Sequence, residues 1–355
     1  PNQLVKNYVK WQNEILSPET MIDSVSRGCQ IARSVPQGPS FLSIPWELML
    51  EKNSSSNFGC VYKPTPSPSP VMEEVRGVAE HLINSKMPVI ITENAGRDTE
   101  VILRLVALSE LLSMPVIESV DPIYYNFPKN HPLHLGYNAN EVLAEADTIF
   151  VIGCQTPWHT PSKYPINNAK VIFLDEHPIK ERLPFWGYHS DITLSADIKT
   201  WLDDLLDILK IEISNKENID NAVKERFNYW SKKHDQLTET LQKQAEAGEN
   251  NNLISAKTFF YKTNKLLPRD CLFFSEATTH ENLIRQYISN PQTYFKVQFG
   301  GLGLGLGTSS GYKLANPNPP VVLFVGDGAF NYNTVVAGLG PVSYTHLTLP
   351  TKRIV

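Results

Sequence analysis

Short unbroken apolar runs recur along this chain, and amphipathic stretches separate them. The runs are PVIIT at 88–92, PVIES at 115–119, TIFVIG at 148–153 and KVIFLD at 170–175. A strand with one wet face alternates apolar and polar residues, whereas an unalternating run suits a strand covered on both faces. Between the runs, MEEVRGVAEHLINS at 72–85 and TEVILRLVALSELLS at 99–113 gather their apolar residues on one helical face. ANEVLAEA at 139–146 reads as helical, and DITLSADIKTWLDDLLDIL at 191–209 reads as a short strand and a closing helix. Strands alternating with helices predict an α/β fold with doubly wound parallel sheets. The pattern restarts near 253. AKTFFYKTNKLL at 256–267 is a helix, DCLFFSE at 270–276 a strand, GGLGLGLGTSSGYKLA at 300–315 a glycine-rich start to a helix, and PVVLFVGDG at 320–328 a strand.

Two other stretches divide the chain. Residues 17–35 open on Ser-Pro-Glu and carry Met21, Ile22, Val25, Cys29 and Ala32 at helical spacing, and GPSFLSIP at 38–45 reads as a buried strand. A Ser/Pro-rich linker follows at 51–70, with prolines at 64, 66, 68 and 70; alternating prolines favour an extended, hydrated chain. The charged stretch at 211–252 reads as a solvated helix between units. The resulting divisions are 1–50, the linker 51–70, a Rossmann-like unit 71–210, the helix 211–252, a second α/β unit 253–340 and a tail 341–355.

Composition narrows the function. The net charge of −5 over 355 residues is no footprint for nucleic acid or an acidic membrane, and no stretch reaches the ~20 apolar residues that span a bilayer. Cys29, Cys60, Cys154 and Cys271 form no CxxC pair, which reads as reduced thiols in an intracellular, cytoplasmic protein. HPLH brings His131 and His134 together in a Pro- and Asn-rich stretch that reads as an ordinary surface loop.

Candidate chemistry concentrates near the end of the chain. Asp327 lies between two glycines where an apolar strand stops. In open α/β sheets ligands bind beyond the carboxyl ends of the strands. A lone carboxylate there suits Mg2+ shared with phosphate oxygens, but taken alone Gly-Asp-Gly reads first as a strand-end turn whose Asp caps the following helix. The ribbon GGLGLGLG at 300–307 holds glycine at five of eight positions, which suggests close approach of something flat, of another backbone or of a crossing helix. It is not a dinucleotide fingerprint: counted from Gly301 or Gly303, the sixth position is Leu306 or Thr308.

In order and spacing, EATTHE, GGLGLGLGTSSGYKLA and VVLFVGDGAFNY resemble the cofactor-binding domain of thiamine-diphosphate enzymes of the acetolactate synthase and benzoylformate decarboxylase superfamily. KWQNEI and GPSFLSIP resemble the end of that family's pyrimidine-binding domain. PVIITENAGRD, LSELLSMPVIES, VIGCQTPW and KVIFLDEHPIKERLPFW resemble its central domain. The resemblance runs from about Leu4 to Gly340. It implies thiamine diphosphate and Mg2+ as cofactors, with Asp327 on the metal and Gly326, Gly328 and Ala329 lining the diphosphate. Thr278 and Thr279 would bind the cofactor too. The Gly300 carbonyl would accept from its 4'-amino group, and Leu302 would be the apolar wedge that bends it. The implied activity is decarboxylation of a 2-oxo acid, with the acyl carbanion transferred to a second carbonyl, as in acetolactate synthase. A benzoylformate- or oxalyl-CoA-decarboxylase-like lyase and a non-catalytic thiamine-diphosphate-binding relative are the alternatives. Some relatives hold FAD or ADP in the central domain, where NAGRD at 94–98 would approach it. Family sites form between subunits, which implies a homodimer or tetramer.

Three features depart from the family. GLGTSSG stands where many relatives carry Leu-Pro-Ala-Ala. The family's activating glutamate lies upstream of the segment matched by KWQNEI, and Glu14 and Glu19 do not occupy its motif. The family's asparagine pair beyond GDG has no counterpart, and PVSYTHLTLPTKRIV at 341–355 resembles a translated adaptor. With no initiator Met, the chain reads as a fragment of a longer enzyme, inactive by itself, whose compartment a lost targeting signal could alter.

Overall fold

The computed structural model describes residues 2–51, 61–119, 121–159, 168–181, 183, 186–215, 219–250, 254–297 and 301–335. The tail at 341–355 therefore lies outside the described residues, as do Cys60 and Gly300. Three parallel sheets follow one another along the chain. β1 (Trp11–Glu14) pairs in parallel with β2 (Ser40–Ser43), and the helix Met21–Arg33 makes the crossover. β1 is a strand that the periodicity of the chain does not announce, because four mixed residues carry no readable alternation.

The central sheet contains β3 (Pro88–Thr92), β4 (Val116–Glu118), β5 (Thr148–Ile152), β6 (Lys170–Asp175) and β7 (Ile192–Ser195), in the order β4-β3-β5-β6-β7. All its neighbours are parallel. The apolar runs are explained by burial on both faces. Ile90, Phe150, Ile172 and Leu194 point into one core, shared with Leu82, Leu105, Leu112, Trp201 and Leu205 from the helices Met72–Asn84, Thr99–Leu112 and Ile198–Ser214. Val89, Ile91, Ile149, Val151 and Phe173 point into the other, with Leu133, Leu135, Trp158 and Trp230. The strand order reverses at β3 and β5, which makes a crevice between their carboxyl ends.

The third sheet contains β8 (Leu272–Glu276), β9 (Phe295–Lys296) and β10 (Val321–Val325), in the order β10-β8-β9, again parallel. Its inner face packs Phe273 against Phe260, Ile284, Tyr287 and Tyr294. The charged stretch expected as one solvated helix is divided. The closing helix runs to Ser214 and a separate helix spans Ile219–Glu246. That helix is not fully solvated either. Trp230 is buried in the central core, and Arg226 donates to the carbonyl oxygens of Leu112, Ser85 and Lys86. Residues 121–129 tie the two larger sheets together. The Tyr125 N–H donates to Tyr294, the Lys296 N–H donates to Ile123, and Lys129 donates to the carbonyls of Arg285 and Ile288. Among the described residues no helix is long and apolar enough to cross a membrane.

The HPLH segment corrects its sequence reading. It is no surface loop, because residues 133–135 pair with the edge of β4: Val116 N–H donates to Leu133 and Leu135 N–H donates to Val116. His134 is consequently buried, with Nε2 at 3.2 Å from the fully buried Glu118 carboxylate. Burial pushes the His134 pKa below its usual value, against the pull of Glu118. Burial alone would raise the Glu118 carboxyl, but the bond and charge of His134, helped by Lys129 and Asn126, hold it below the ordinary range.

Both shifts act in the same direction with pH. The unfolded histidine takes up a proton near pH ~6.5 and the buried ring only at lower pH, so stability falls as pH drops below that value. The depressed Glu118 pKa adds stability above the unfolded glutamate value of about 4.3, and this is lost as pH falls through the lower folded value. The thermal midpoint is expected to fall progressively as the pH drops below about 6.5, and the double replacement Glu118→Gln, His134→Gln is expected to flatten that fall. Parallel pH profiles for the two proteins would contradict this.

Candidate cofactor site

β8 and β10 are parallel neighbours in a register that sets Glu276 opposite Val325. Their carboxyl ends therefore release two loops side by side. After β8 come Ala277, the 3-10 turn Thr278–His280 and the helix Glu281–Tyr287. After β10 come Gly326 and the helix Asp327–Tyr332. The Gly326 N–H donates to the Glu276 carbonyl at 3.0 Å and binds the loops together. The turn is pinned from within by Glu281, whose carboxylate accepts from Ser275 Oγ at 2.6 Å and from the Tyr294 hydroxyl. Thr278, Thr279, Asp327 and Gly328 face solvent at this edge, while Ala329 is buried beneath.

The glycine ribbon closes over the same edge. Gly303 has φ +91, and a Cβ there would lie 2.9 Å from the carbonyl carbon and oxygen of Tyr332. At Gly305 a Cβ would lie 2.6 Å from Glu276 Oε2. These two glycines are required by close approach, Gly303 to the backbone at the end of the helix Asp327–Tyr332 and Gly305 to a buried carboxylate. A Cβ at Gly301 or at Gly307 would meet nothing within 4 Å. Glu276 ends the apolar strand and is buried. Its carboxylate accepts from the N–H groups of Gly303, Leu304 and Gly305 at 2.7, 3.0 and 2.9 Å. Leu304, the N-cap of the helix Gly305–Ala315, has no side-chain cap of its own, and Glu276 supplies one from the neighbouring strand. Leu302 stands next to this cradle and is 45% exposed.

Asp327 is the first residue of its helix, and no side chain caps that helix. This removes the helix-cap alternative for its carboxylate, which makes no hydrogen bond or ion pair among the described residues. No group of three or more His, Cys, Asp or Glu side chains gathers around a common point among the described residues. A cation at Asp327 would thus share one carboxylate with phosphate oxygens, the donor set that Mg2+ accepts. Nothing lies within 4 Å of where a Gly328 Cβ would stand, so a phosphate has room beside that backbone. The donor chemistry and the open glycine fit a magnesium diphosphate. The structure brings Thr278, Thr279, Leu302, Gly326, Asp327, Gly328 and Ala329 to one sheet edge; Gly300 lies outside the described residues.

The central crevice is a different environment. It encloses about 390 Å³ between the ends of β3, β5 and β6, lined by Asn94, Arg97, Asp98, Gly153, Asp175, Glu176 and Asp197 among others. Asp98 and Asp197 cap the two helices that start there, accepting from the N–H groups of Glu100 and Thr200. Arg97 pairs with Glu176 and Lys180 with Asp175. The Gly96 N–H donates to Asn126, and a Cβ at Gly96 would overlap the Tyr125 carbonyl. The NAGRD glycine therefore serves chain packing. Four carboxylates outnumber the lining cations Arg97, Lys180 and Lys199, the first two of which are already paired, so the crevice fits the diphosphate of FAD poorly.

Comparison with known proteins places the chain in a family. Residues 75–205 match the family model "Thiamine pyrophosphate enzyme, central domain", and residues 276–339 match "Thiamine pyrophosphate enzyme, C-terminal TPP binding domain". The chain belongs to the thiamine-diphosphate-dependent enzyme family. It is 24% identical to the sulfoacetaldehyde acetyltransferase of Castellaniella defragrans, over 92% of this chain and 58% of that protein. It is 25% identical to the benzoylformate decarboxylase of Pseudomonas aeruginosa, over 93% of this chain and 60% of that protein. The crystal structure of benzoylformate decarboxylase from Polynucleobacter necessarius superposes with a TM-score of 0.72 at 21% identity, covering 95% of this chain and 61% of that one. The chain thus spans about three fifths of the relatives it matches.

The two constrained glycines yield a stability test. Gly303→Ala meets both backbone contact and a left-handed φ, and is expected to cost about 1–3 kcal/mol. Gly307→Ala, inside a helix with open space around it, is expected to be neutral or to stabilise by up to about 1 kcal/mol. Urea unfolding midpoints compare the two, and equal effects would contradict the assignment of close contact to Gly303.

Proposed function

We propose that this chain carries the diphosphate-binding part of a thiamine-diphosphate- and Mg2+-dependent enzyme acting on a 2-oxo acid. The carrying observation is the Asp327 carboxylate, which has no partner among the described residues and stands at the same sheet edge as Thr278 and Thr279, at the carboxyl ends of β8 and β10. In this reading Asp327 holds Mg2+, and Gly326, Gly328 and Ala329 line the diphosphate. The Thr278 and Thr279 hydroxyls donate at the same edge. Leu302 would give the cofactor apolar support, and the Gly300 carbonyl would accept from its 4'-amino group. Bound thiamine diphosphate supplies the electron sink for breaking a bond next to a carbonyl, and the protein supplies placement and exclusion of water.

The chemistry the cofactor would supply is decarboxylation of a 2-oxo acid followed by either transfer of the acyl carbanion equivalent to a second carbonyl, as in acetolactate synthase, or its protonation and release as an aldehyde, as in a decarboxylase. Support for both arms comes from the relatives, which include proteins named acetolactate synthase and benzoylformate decarboxylase. The proposed cofactor set omits FAD, on the strength of the carboxylate-lined crevice. A homodimer or tetramer belongs to the proposal too. Exposed Leu302, Leu304, Phe330 and Tyr332 ring the polar edge, an apolar surround that suits a second subunit.

Calorimetric titration of the full chain with thiamine diphosphate tests the cofactor assignment. Binding is expected with Mg2+, is expected to vanish with a chelator, and is expected to weaken by about tenfold or more in Asp327→Ala. Binding that ignores both Mg2+ and Asp327 would contradict the assignment.

A further inference from the structure

We infer that Glu276 is the positioning residue that fixes Leu302 relative to the Asp327 loop, its side chain setting one and its backbone the other. The inference rests on the thiamine-diphosphate reading of the same edge and adds a residue to it. Three observations carry it. Both carboxylate oxygens are used: Oε1 accepts from Gly303 and Leu304, and Oε2 from Gly305, so three successive amides turn onto one buried anion. Consecutive amides wrapped on an anion form a nest, and charge-assisted bonds of this kind are about twice as strong as neutral ones. The fit leaves no slack, because a methyl group at Gly305 would stand 2.6 Å from Oε2. Finally, the Glu276 carbonyl accepts from Gly326 at 3.0 Å, one residue before Asp327.

The consequences for the two loops differ. The Gly326 bond belongs to the backbone of Glu276 and survives any side-chain change. The Gly303–Gly305 cradle belongs to the carboxylate and does not. Leu302 directly precedes the first of those amides, and at 45% exposure it has little packing of its own to locate it. A buried carboxylate would be costly without these partners; with them, it fixes the stretch from Gly303 to Gly305 as a crest that begins directly after Leu302.

The test separates the wedge from the phosphate grip. The full chain, Glu276→Gln, Leu302→Ala and the double variant are titrated with magnesium thiamine diphosphate and, separately, with magnesium pyrophosphate. Pyrophosphate needs the Asp327 loop but no wedge. Glu276→Gln is expected to weaken thiamine diphosphate by about tenfold while leaving pyrophosphate within about twofold. Leu302→Ala is expected to do the same, and the double variant to lose little more than either, since both act through one side chain. Additive losses, equal losses for both ligands, or no loss at all would overturn the inference. If the wild-type chain binds neither ligand, the cofactor reading itself fails, which is a distinct outcome. Should Glu276→Gln not fold, amide hydrogen exchange on the wild type decides. Slow exchange at Gly303, Leu304 and Gly305 supports the cradle, and exchange as fast as at Gly301 overturns it.

Discussion

Everything at the candidate site depends on the β8–β10 pairing. Parallel strands in register deliver their following loops to the same edge, and here they deliver Thr278 and Asp327 together from positions nearly fifty residues apart in sequence. No contact between the two side chains is needed for this. The ladder sets the spacing, the Gly326–Glu276 bond closes it, and the inner face of Phe273, Phe260 and Tyr294 keeps the sheet from shifting. The crossover helix Gly305–Ala315 then brings the glycine ribbon to that edge from above, because a parallel pair must be joined by a crossover.

The same architecture appears twice with different chemistry. In the central sheet the carboxyl edge is filled by its own residues. Glu93 accepts from the N–H groups of Gln155 and Thr156, and Asn126 bridges Glu118, Gly96 and the carbonyls of Glu93 and Tyr124. Burial raises the Glu93 pKa, although the Gln155 and Thr156 amides oppose it. These groups satisfy one another, and the segment carrying Asn126 goes on to join β9. The edge is thus spent on holding two units together. In the third sheet the polar groups at the edge point outward and Asp327 has no internal partner among the described residues. One fold, used at two carboxyl ends, gives a structural seam at one and an open polar site at the other.

Much of this was legible in the sequence, for reasons particular to each element. The central strands are dry on both faces, so their apolar runs located β3, β5 and β6 within a residue. The Gly-Asp-Gly at 326–328 was readable only in order with EATTHE and the glycine ribbon, because a carboxylate at the end of such a run also serves as a cap or a pairing partner, as Glu276 and Asp175 do here. What the sequence hid were pairings across distance. β1 and β9 are too short for any period to show. The burial of His134 depends on residues 133–135 joining β4, which a Pro- and Asn-rich stretch does not advertise. Glu276 gave one local signal, a carboxylate ending the run LFFSE, but its partners lie 27 to 29 residues onward. The glycine ribbon invited a reading by composition, whereas contacts separate Gly303 and Gly305, which must be glycine, from Gly301 and Gly307, which meet nothing.

The central claim is that the edge formed by β8 and β10 holds a magnesium diphosphate and that the central crevice does not. Site-resolved hydrogen exchange on the full chain, with and without magnesium thiamine diphosphate, addresses it most directly. Slowed exchange is expected at residues 277–281, 301–305 and 326–330, with 94–98 and 153–156 unchanged. Protection confined to the central crevice, or no protection at the β8–β10 edge under conditions where the ligand binds, would contradict it.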